Sequence, residues 1–572
     1  MVDFRKAILL LAALVALTGL VSAQTTPLSC TANAGVPPLA RAEGVAEEVG
    51  QVIIDCRGGT STAGPVSDGA GGITTTAIPT INVQIFLNTN VTSRLIKSGE
   101  TDSEALLMID EPQPGNQYLA TADPPFTVTV PAWGGGIYNP GPGRPNMFLG
   151  QQAGSNSIVW LKVPFDPPGT TPNRVLRIAN VRANANQLGV SSTLIPTAIN
   201  MFISISGTGS LALTNPQLTV AYVQLGMKFT ATTATWNQCE PKTYEYNIKF
   251  SELFGTAFRH KDSGAIAQDV PGRIYNTESM FYSLDPLVLP AAVGHATQGT
   301  RLIARFSNVP ANVTISVPTT SITNSDGDTA VIQYASTNGS TVDSAGVVAL
   351  TGGAGAAVWE ITTSNPGAIS AITVPVSVKY VANPLPGLGT ATVTGNYAPT
   401  TTVFTASYSE PVPRFVDNPQ SATTFTINSC KTNLLFPFLT NQAGFDSGVV
   451  ISNTSLDPFS TVPQRGPCTL YYYGNTSGTG AAPNSQTSGT VNEGTQLVAT
   501  LSGGGNLGIA ATPGFQGYMI ASCNFQYAHG FAFISDLGSS RVAEGYLALI
   551  MDQDMDGDGQ TRTKATSETL NN

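Results

Sequence analysis

Charge is in short supply in this chain: Asp, Glu, Lys and Arg together make up 11% of 572 residues, and only 3 histidines are present. So sparse a supply argues against long helices with salt-bridged faces. Runs of Lys and Arg that would answer a phosphate backbone are missing, and the net charge of −10 repels nucleic acid on average, so no nucleic-acid partner is expected. Cysteine is scarce as well, 6 in all, with no CxxC spacing, and no HExxH accompanies the histidines, so a zinc cluster lacks its ligand pattern. Neither a GxSxG elbow nor a GxxxxGK[ST] loop occurs, which removes the usual signatures of serine hydrolases and phosphate-loop enzymes. Past the N-terminus no stretch reaches the roughly 18 apolar residues that cross a bilayer as a helix, so no transmembrane span is expected in the mature chain.

What the chain does have is turn formers and apolar residues. It carries 58 glycines and 39 prolines within a composition that is 41% hydrophobic, which suits short strands joined by many turns and argues against wholesale disorder. Residues 1–23 read as a signal peptide: Arg5 and Lys6 precede an apolar run from Ala7 to Leu17, and Val21-Ser22-Ala23 offers a small-residue cleavage site. Export implies an oxidising surrounding, so the even set of cysteines predicts disulfides. Proximity along the chain favours Cys30 with Cys56 and Cys468 with Cys523, which leaves Cys239 with Cys430 out of fifteen conceivable pairings.

Period-two alternation marks strands throughout. It is clearest in Ile372, Val374, Val376, Val378 and Tyr380, and recurs in Ile81, Val83, Ile85 and Leu87, in Phe126, Val128 and Val130, in Val313, Ile315 and Val317, and in Leu497, Ala499 and Leu501. Pro375 places its strand at an edge or a bulge, since proline donates nothing to a ladder. Helical spacing is confined to 251–260, where Leu253, Phe254, Ala257 and Phe258 would share one face of a short helix. The expected fold is mainly β and multi-domain, with β-sandwich modules of immunoglobulin-like size and few helices. Turn-rich breaks divide it into an N-terminal β domain at 24–235, a middle region at 236–420 with an immunoglobulin-like module at about 309–412, a C-terminal β domain at 421–552, and a disordered polar tail at 553–572.

Two groups of stretches, RVLRIANVRANANQLG with SSTLIPTAI at 174–199, and NLLFPFLTNQAGFDSGVVISNTSLDPF at 433–459 with GFQGYMIASCNFQYAHGFAFISD at 514–536, resemble an uncharacterised family of exported bacterial β proteins. The resemblance implies export and a β fold, and carries no activity, substrate or catalytic residue with it.

Chemistry has few footholds. DQDMDGDGQ at 552–560 puts Asp552, Asp554, Asp556 and Asp558 at positions one, three, five and seven of an EF-hand-type loop, a candidate calcium site. Position twelve is Thr563, without the bidentate Glu. No other cofactor is expected. His529 lies near Cys523 and Asp536, yet a bonded cysteine offers no thiolate, and alternating Phe531 and Phe533 read as a strand with a bend or bulge at Gly530. His260 and His295 stand alone. Arg174, Arg177 and Arg182, and the acid pairs Glu47-Glu48 and Asp110-Glu111, read as solvated positions rather than as a basic patch or a glycosidase dyad. Tyr471, Tyr472 and Tyr473 alternate between two sheet faces, a pattern that reads first as core and cross-strand packing, with stacking of one face on a sugar or a protein as the alternative. The reading this supports is a secreted or cell-surface structural, adhesion or binding protein, extracellular or periplasmic, with a cell-envelope or matrix polymer or protein as partner. The alternative is an extracellular hydrolase of polysaccharide or peptide whose site is gathered from distant loops.

Overall fold

The computed structural model describes residues 27–551 apart from 63–65, 68–72, 75–77, 111–116, 121–139, 142–144, 191–194, 208–210, 239–240, 263–276, 284–288 and 382–385. The leader at 1–23, the alternation at Phe126, Val128 and Val130, Glu111, Cys239 and the acidic loop from Asp552 lie outside the described residues. Strands run from Ser29 to Met551, and the helical elements described are two short 3-10 turns, Ala185–Leu188 and Ser336–Asn338. Among the described residues no helix is long and apolar enough to cross a membrane. The fold is mainly β, with several sheets enclosing three large hydrophobic cores.

An eleven-stranded sheet runs from Ala212–Thr214 at one edge to Leu39–Arg41 at the other. In its strand Thr80–Leu87, Ile81, Val83, Ile85 and Leu87 all turn inward, toward a core that includes Trp160, Leu176 and Ile203. Strand Asp102–Ile109 shows no such alternation because both faces are covered. Ala105, Leu107 and Ile109 face that core, while Leu106 and Met108 meet Phe281, Leu289 and Val293 from the middle of the chain. An apolar run within a strand records this two-sided burial.

The middle sandwich sets a four-stranded sheet (Met227–Ala231, Lys242–Glu252, Ala371–Tyr380, Thr314–Ser316) against a seven-stranded one that includes Gly389–Ala398, Arg301–Ser307 and Gly355–Thr363. Residues 309–412 therefore share this sandwich with strands from 227–252 and with Gln420–Asn428. Its core is aromatic: Trp236 stacks on Phe425 with centroids 5.3 Å apart, and Phe250 tilts against Trp359. Ile372, Val374, Val376, Val378 and Tyr380 enter this core, as do Val313, Ile315 and Val317. No bulge interrupts the pairing of Ala371–Tyr380 with Lys242–Glu252. On its other side the strand is paired only at Ser377–Lys379 by Thr314–Ser316, so Pro375 sits where that short partner has ended and its missing donor goes unneeded.

Residues 251–260 do not form the expected helix. Glu252 closes a strand, and its carboxylate accepts the amides of Phe258 at 2.7 Å and Ser370 at 3.1 Å, drawing the segment into turns. Gly255 lies so close to the backbone oxygens of Ala368 and Pro366 that a Cβ would sit 2.7 and 2.9 Å from them. Phe254, Ala257 and Phe258 are buried as their spacing suggested, but on a looped backbone.

Two five-stranded sheets make the C-terminal sandwich, one ordered Gln486–Thr487, Cys468–Thr476, Phe515–Cys523, Thr432–Thr440, Leu549–Met551, and the other built around Asp446–Asn453, Gln496–Thr500 and Ala528–Ser535. Leu497, Ala499 and Leu501 face the core between them. Gly530 is not a bulge: its pairing with Ile451 is in unbroken register, and its bare backbone admits Phe436 and Ala548. Cys30 is bonded to Cys56 and Cys468 to Cys523, each pair directly opposed across an antiparallel ladder. Cys430 is also disulfide-bonded.

Candidate functional site

Two places in the molecule gather polar or aromatic side chains in an unusual way, one buried and one exposed. The buried one lies where the eleven-stranded sheet meets the middle sandwich. Arg41, fully buried, directs its guanidinium to Glu278 (Nη1 to Oε1 2.8 Å, Nη2 to Oε2 3.0 Å) and to Glu47 (Nε to Oε1 2.9 Å). Its Nη1 also donates to Thr300 Oγ1 at 2.9 Å, and the group lies 4.7 Å over the Phe415 ring. Arg182 donates to Glu104 at 3.1 Å and to the Glu278 carbonyl at 2.7 Å. Arg259 holds the Leu39 carbonyl at 3.0 Å and stands 4.0 Å from Glu48.

Five of the positions read as solvated are thus the opposite, while Asp110 is exposed as read and Glu111 lies outside the described residues. Arg174, Arg177, Arg182, Glu47 and Glu48 are all buried, with Arg174 3.3 Å from Asp110 and Arg177 donating to Gln51 at 2.7 Å. Residues 277–283 and 289–297 cover that side of the sheet, with Phe281, Leu289 and Val293 packed on it, a long-range packing that local charge spacing does not report. Burial pushes the Glu48 carboxyl up to about 7 against the pull of Arg259 and Arg182, and burial likewise raises Glu252 to about 7. Glu278 goes the other way: despite its burial, Arg41 and Arg259 hold it below the usual carboxylate range. An acid pair so locked faces arginines rather than a substrate. This network joins parts of the fold.

The exposed place is the outer face of the C-terminal sheet that contains the Cys468–Cys523 bond. Alternation in CTLYYYGNT turns Leu470 and Tyr472 into the core and leaves Tyr471 and Tyr473 outside, 40% and 42% exposed. Tyr518, 42% exposed, stands directly opposite Tyr473, and their rings stack with centroids 4.8 Å apart and planes 12° apart. Ile520 and Leu435 continue the row across from Tyr471. The disulfide between the opposed Cys468 and Cys523 helps fix this register, and a one-residue slip would turn the tyrosines inward. None of the five strands of this sheet carries Asp, Glu, Lys, Arg or His.

One step beyond the tyrosines the face becomes amide-rich. Asn475 and Gln516 form the next cross-strand pair, and Gln442 donates to Asn475 Oδ1 at 3.1 Å. Gln442 belongs to the NQAG turn, where Ala443 (φ 54°) and Gly444 (φ 83°) take the left-handed backbone needed to pass from one sheet to the other. The turn borders an open cleft of ≈ 510 Å³ lined by Asn441, Gln442, Asp446, Ser477, Ser502 and Leu537. Asp446 is engaged there by Asn441 Nδ2 at 2.9 Å and by the Ser502 amide at 3.2 Å.

Of the other candidates, His529 is on the outer side of its strand and Cys523 is bonded, so no Cys/His pair forms. His260 Nδ1 is 3.1 Å from Ser364 Oγ, and the His295 ring lies tilted against Tyr282 with centroids 4.1 Å apart. Asp552, Asp554, Asp556 and Asp558 lie outside the described residues. The sequence pointed to Tyr471 and Tyr473 but missed Tyr518 and the amides, whose signal is only their cross-strand register.

No protein-family model matches the chain, and no curated protein resembles it in sequence. Solved structures to which the chain is similar include the C-terminal domain of the Streptococcus pyogenes antigen I/II-family protein AspA, 9% identical over 70% of this chain and 100% of that one, with a TM-score of 0.24. The Escherichia coli adhesin FdeC is 9% identical over 86% and 97%, with a TM-score of 0.18. The major pilin subunit BcpA of Bacillus cereus is 8% identical over 82% and 91%, also at 0.18. Likeness at this level carries no functional argument.

Proposed function

We propose that this chain is an exported, extracellular or cell-surface binding protein in which the other sheets serve as scaffold and the C-terminal sandwich presents the recognition face. The observation that carries the reading is the charge-free outer sheet face on which Tyr471, Tyr473 and Tyr518 stand exposed. Tyrosine offers large, rigid, amphipathic contact area at low conformational cost, and exposed aromatic clusters on a rigid sheet mark interaction surfaces. The signal-like leader and the bonded cysteines support an oxidising destination.

The test is binding of the oxidised mature chain to isolated cell-envelope and matrix material from its source, with wild type and a Tyr473→Ala/Tyr518→Ala variant compared. Wild type is expected to be retained and the variant released. Equal retention of both would refute the assignment of this face.

A further inference from the structure

We infer that the tyrosine face and the adjoining amide-lined cleft form one continuous site for a neutral polysaccharide, an inference that rests on the binding role proposed above. Three features select this ligand class. The first is shape and chemistry: a sugar ring presents an apolar C–H face and a rim of hydroxyls, and the site offers aromatic surface followed by carboxamides in that order along one strand. Tyr471, Tyr473 and Asn475 succeed one another on the outer face over about 13 Å, taking about 3.3 Å per residue. That length accommodates consecutive rings of an extended chain rather than a single small molecule.

The second feature is the donor and acceptor set. Gln442 uses its amide nitrogen on Asn475 Oδ1 and on the Gly514 carbonyl at 2.8 Å, so its own Oε1 and the Asn475 Nδ2 remain for a ligand. Gln516 accepts from Thr440 through Oε1 at 3.3 Å and keeps its NH2. Paired donors and acceptors at fixed spacing answer hydroxyls, which both donate and accept. These amides are fixed by hydrogen bonds before any ligand arrives, which lowers the entropy lost on binding.

The third is charge. The five strands hold no ionised side chain, and Asp446 in the cleft is engaged by Asn441 and Ser502. An anionic polymer or a phosphate would find no cation here, and a basic peptide no open row of carboxylates. A hydroxyl-rich, uncharged chain needs neither.

The experiment is affinity electrophoresis of the full oxidised mature chain in native gels cast with a soluble mixed-linkage β-glucan, xylan or galactomannan, and with alginate as the anionic control. Retardation by at least one neutral polymer, little by alginate, and a loss of about tenfold or more in affinity for Tyr473→Ala/Tyr518→Ala are expected. Gln442→Ala/Asn475→Ala, which leaves the aromatic surface intact, is expected to weaken binding about threefold or more through lost hydrogen bonds. Thermal unfolding unchanged from wild type certifies each variant's fold. Absence of tyrosine-dependent retardation in all three neutral gels overturns the polysaccharide assignment, as does tyrosine-dependent self-association in sedimentation. If envelope binding nevertheless remains tyrosine-dependent, the recognition face stands and only its ligand class falls; if it does not, both fall.

Discussion

Replacing Arg41 by methionine keeps much of the side chain's length and apolar stem but removes the charge that Glu47 and Glu278 share. Both carboxylates are almost fully buried, and each meets the guanidinium at or below 3 Å. Removing one member of a buried charge pair costs about 3–5 kcal/mol, because the partner's desolvation is left unanswered. Here two acids are stranded at once, so the upper end applies unless one of them takes up a proton. At roughly 2–4 °C per kcal/mol for a domain of this size, the transition that involves the junction should fall by about 6–20 °C. Arg41 lies in the eleven-stranded sheet whereas Glu278, Thr300 and Phe415 belong to the middle of the chain, so calorimetry should show that transition separating from the rest. Adding Glu47→Gln and Glu278→Gln to Arg41→Met should recover a large part of the loss, since no uncompensated ion remains. A loss below about 1 kcal/mol for the single variant would place this network with solvent-screened surface pairs and refute the reasoning.

Three further outcomes follow from other parts of the fold. The raised carboxyls of Glu48 and Glu252 bind protons more tightly folded than unfolded, so their contribution is full below the ordinary carboxylate range and is lost as pH rises through about 7. Glu48→Gln should therefore flatten the decline in unfolding free energy between pH 5 and pH 8, by about 3 kcal/mol at the alkaline end, and an unchanged slope in denaturant unfolding would count against it. Exchanging Cys468 and Cys523 for serine opens a link of sequence separation 55 and should cost about 4 kcal/mol in denaturant unfolding, with the C-terminal sandwich melting first. Gly530→Ala would bring a methyl within 2.7 Å of Phe436 and Ala548, for a loss of about 1–3 kcal/mol; a stabilised variant would show that the core has slack there.

How far the sequence revealed this depends on the range of the interaction. Strand identity is local, and Ile372 to Tyr380 or Ile81 to Leu87 could be assigned inward faces from alternation alone, because burial on one side imposes a period of two. Gly530 and residues 251–260 misled because their backbone is shaped by distant atoms, Phe436 in one case and Ala368 in the other. The arginines at 177 and 182 misled for the same reason, their cover arriving from residues about a hundred positions away, the Phe281 ring at Arg177 and the Glu278 carbonyl at Arg182. For the exposed site, Tyr471 and Tyr473 were visible as alternating aromatics, whereas the Tyr518 partnership requires the register between Cys468–Thr476 and Phe515–Cys523. Charge spacing along a chain reports solvation only where the neighbouring elements are also local.

The same sheet also offers an edge, and the choice between edge and face decides what kind of partner fits. Its outermost strands are short: Gln486–Thr487 covers only Thr469 and Leu470, and Leu549–Met551 covers only Asn433 to Leu435. Among the described residues the rest of Cys468–Thr476 therefore has no strand beyond it in the sheet, and a peptide could add there by backbone pairing. That edge is a poor template, since Gly474 sits at φ 144°, outside the range of ordinary strand residues. The opposite edge is interrupted too, by the register shift between Phe436 and Leu439. Face recognition requires none of that regularity. It needs side chains held in fixed register, and the bond between the opposed Cys468 and Cys523 supports that at one end of the ladder while the Asn475–Gln516 pair meets the NQAG turn at the other.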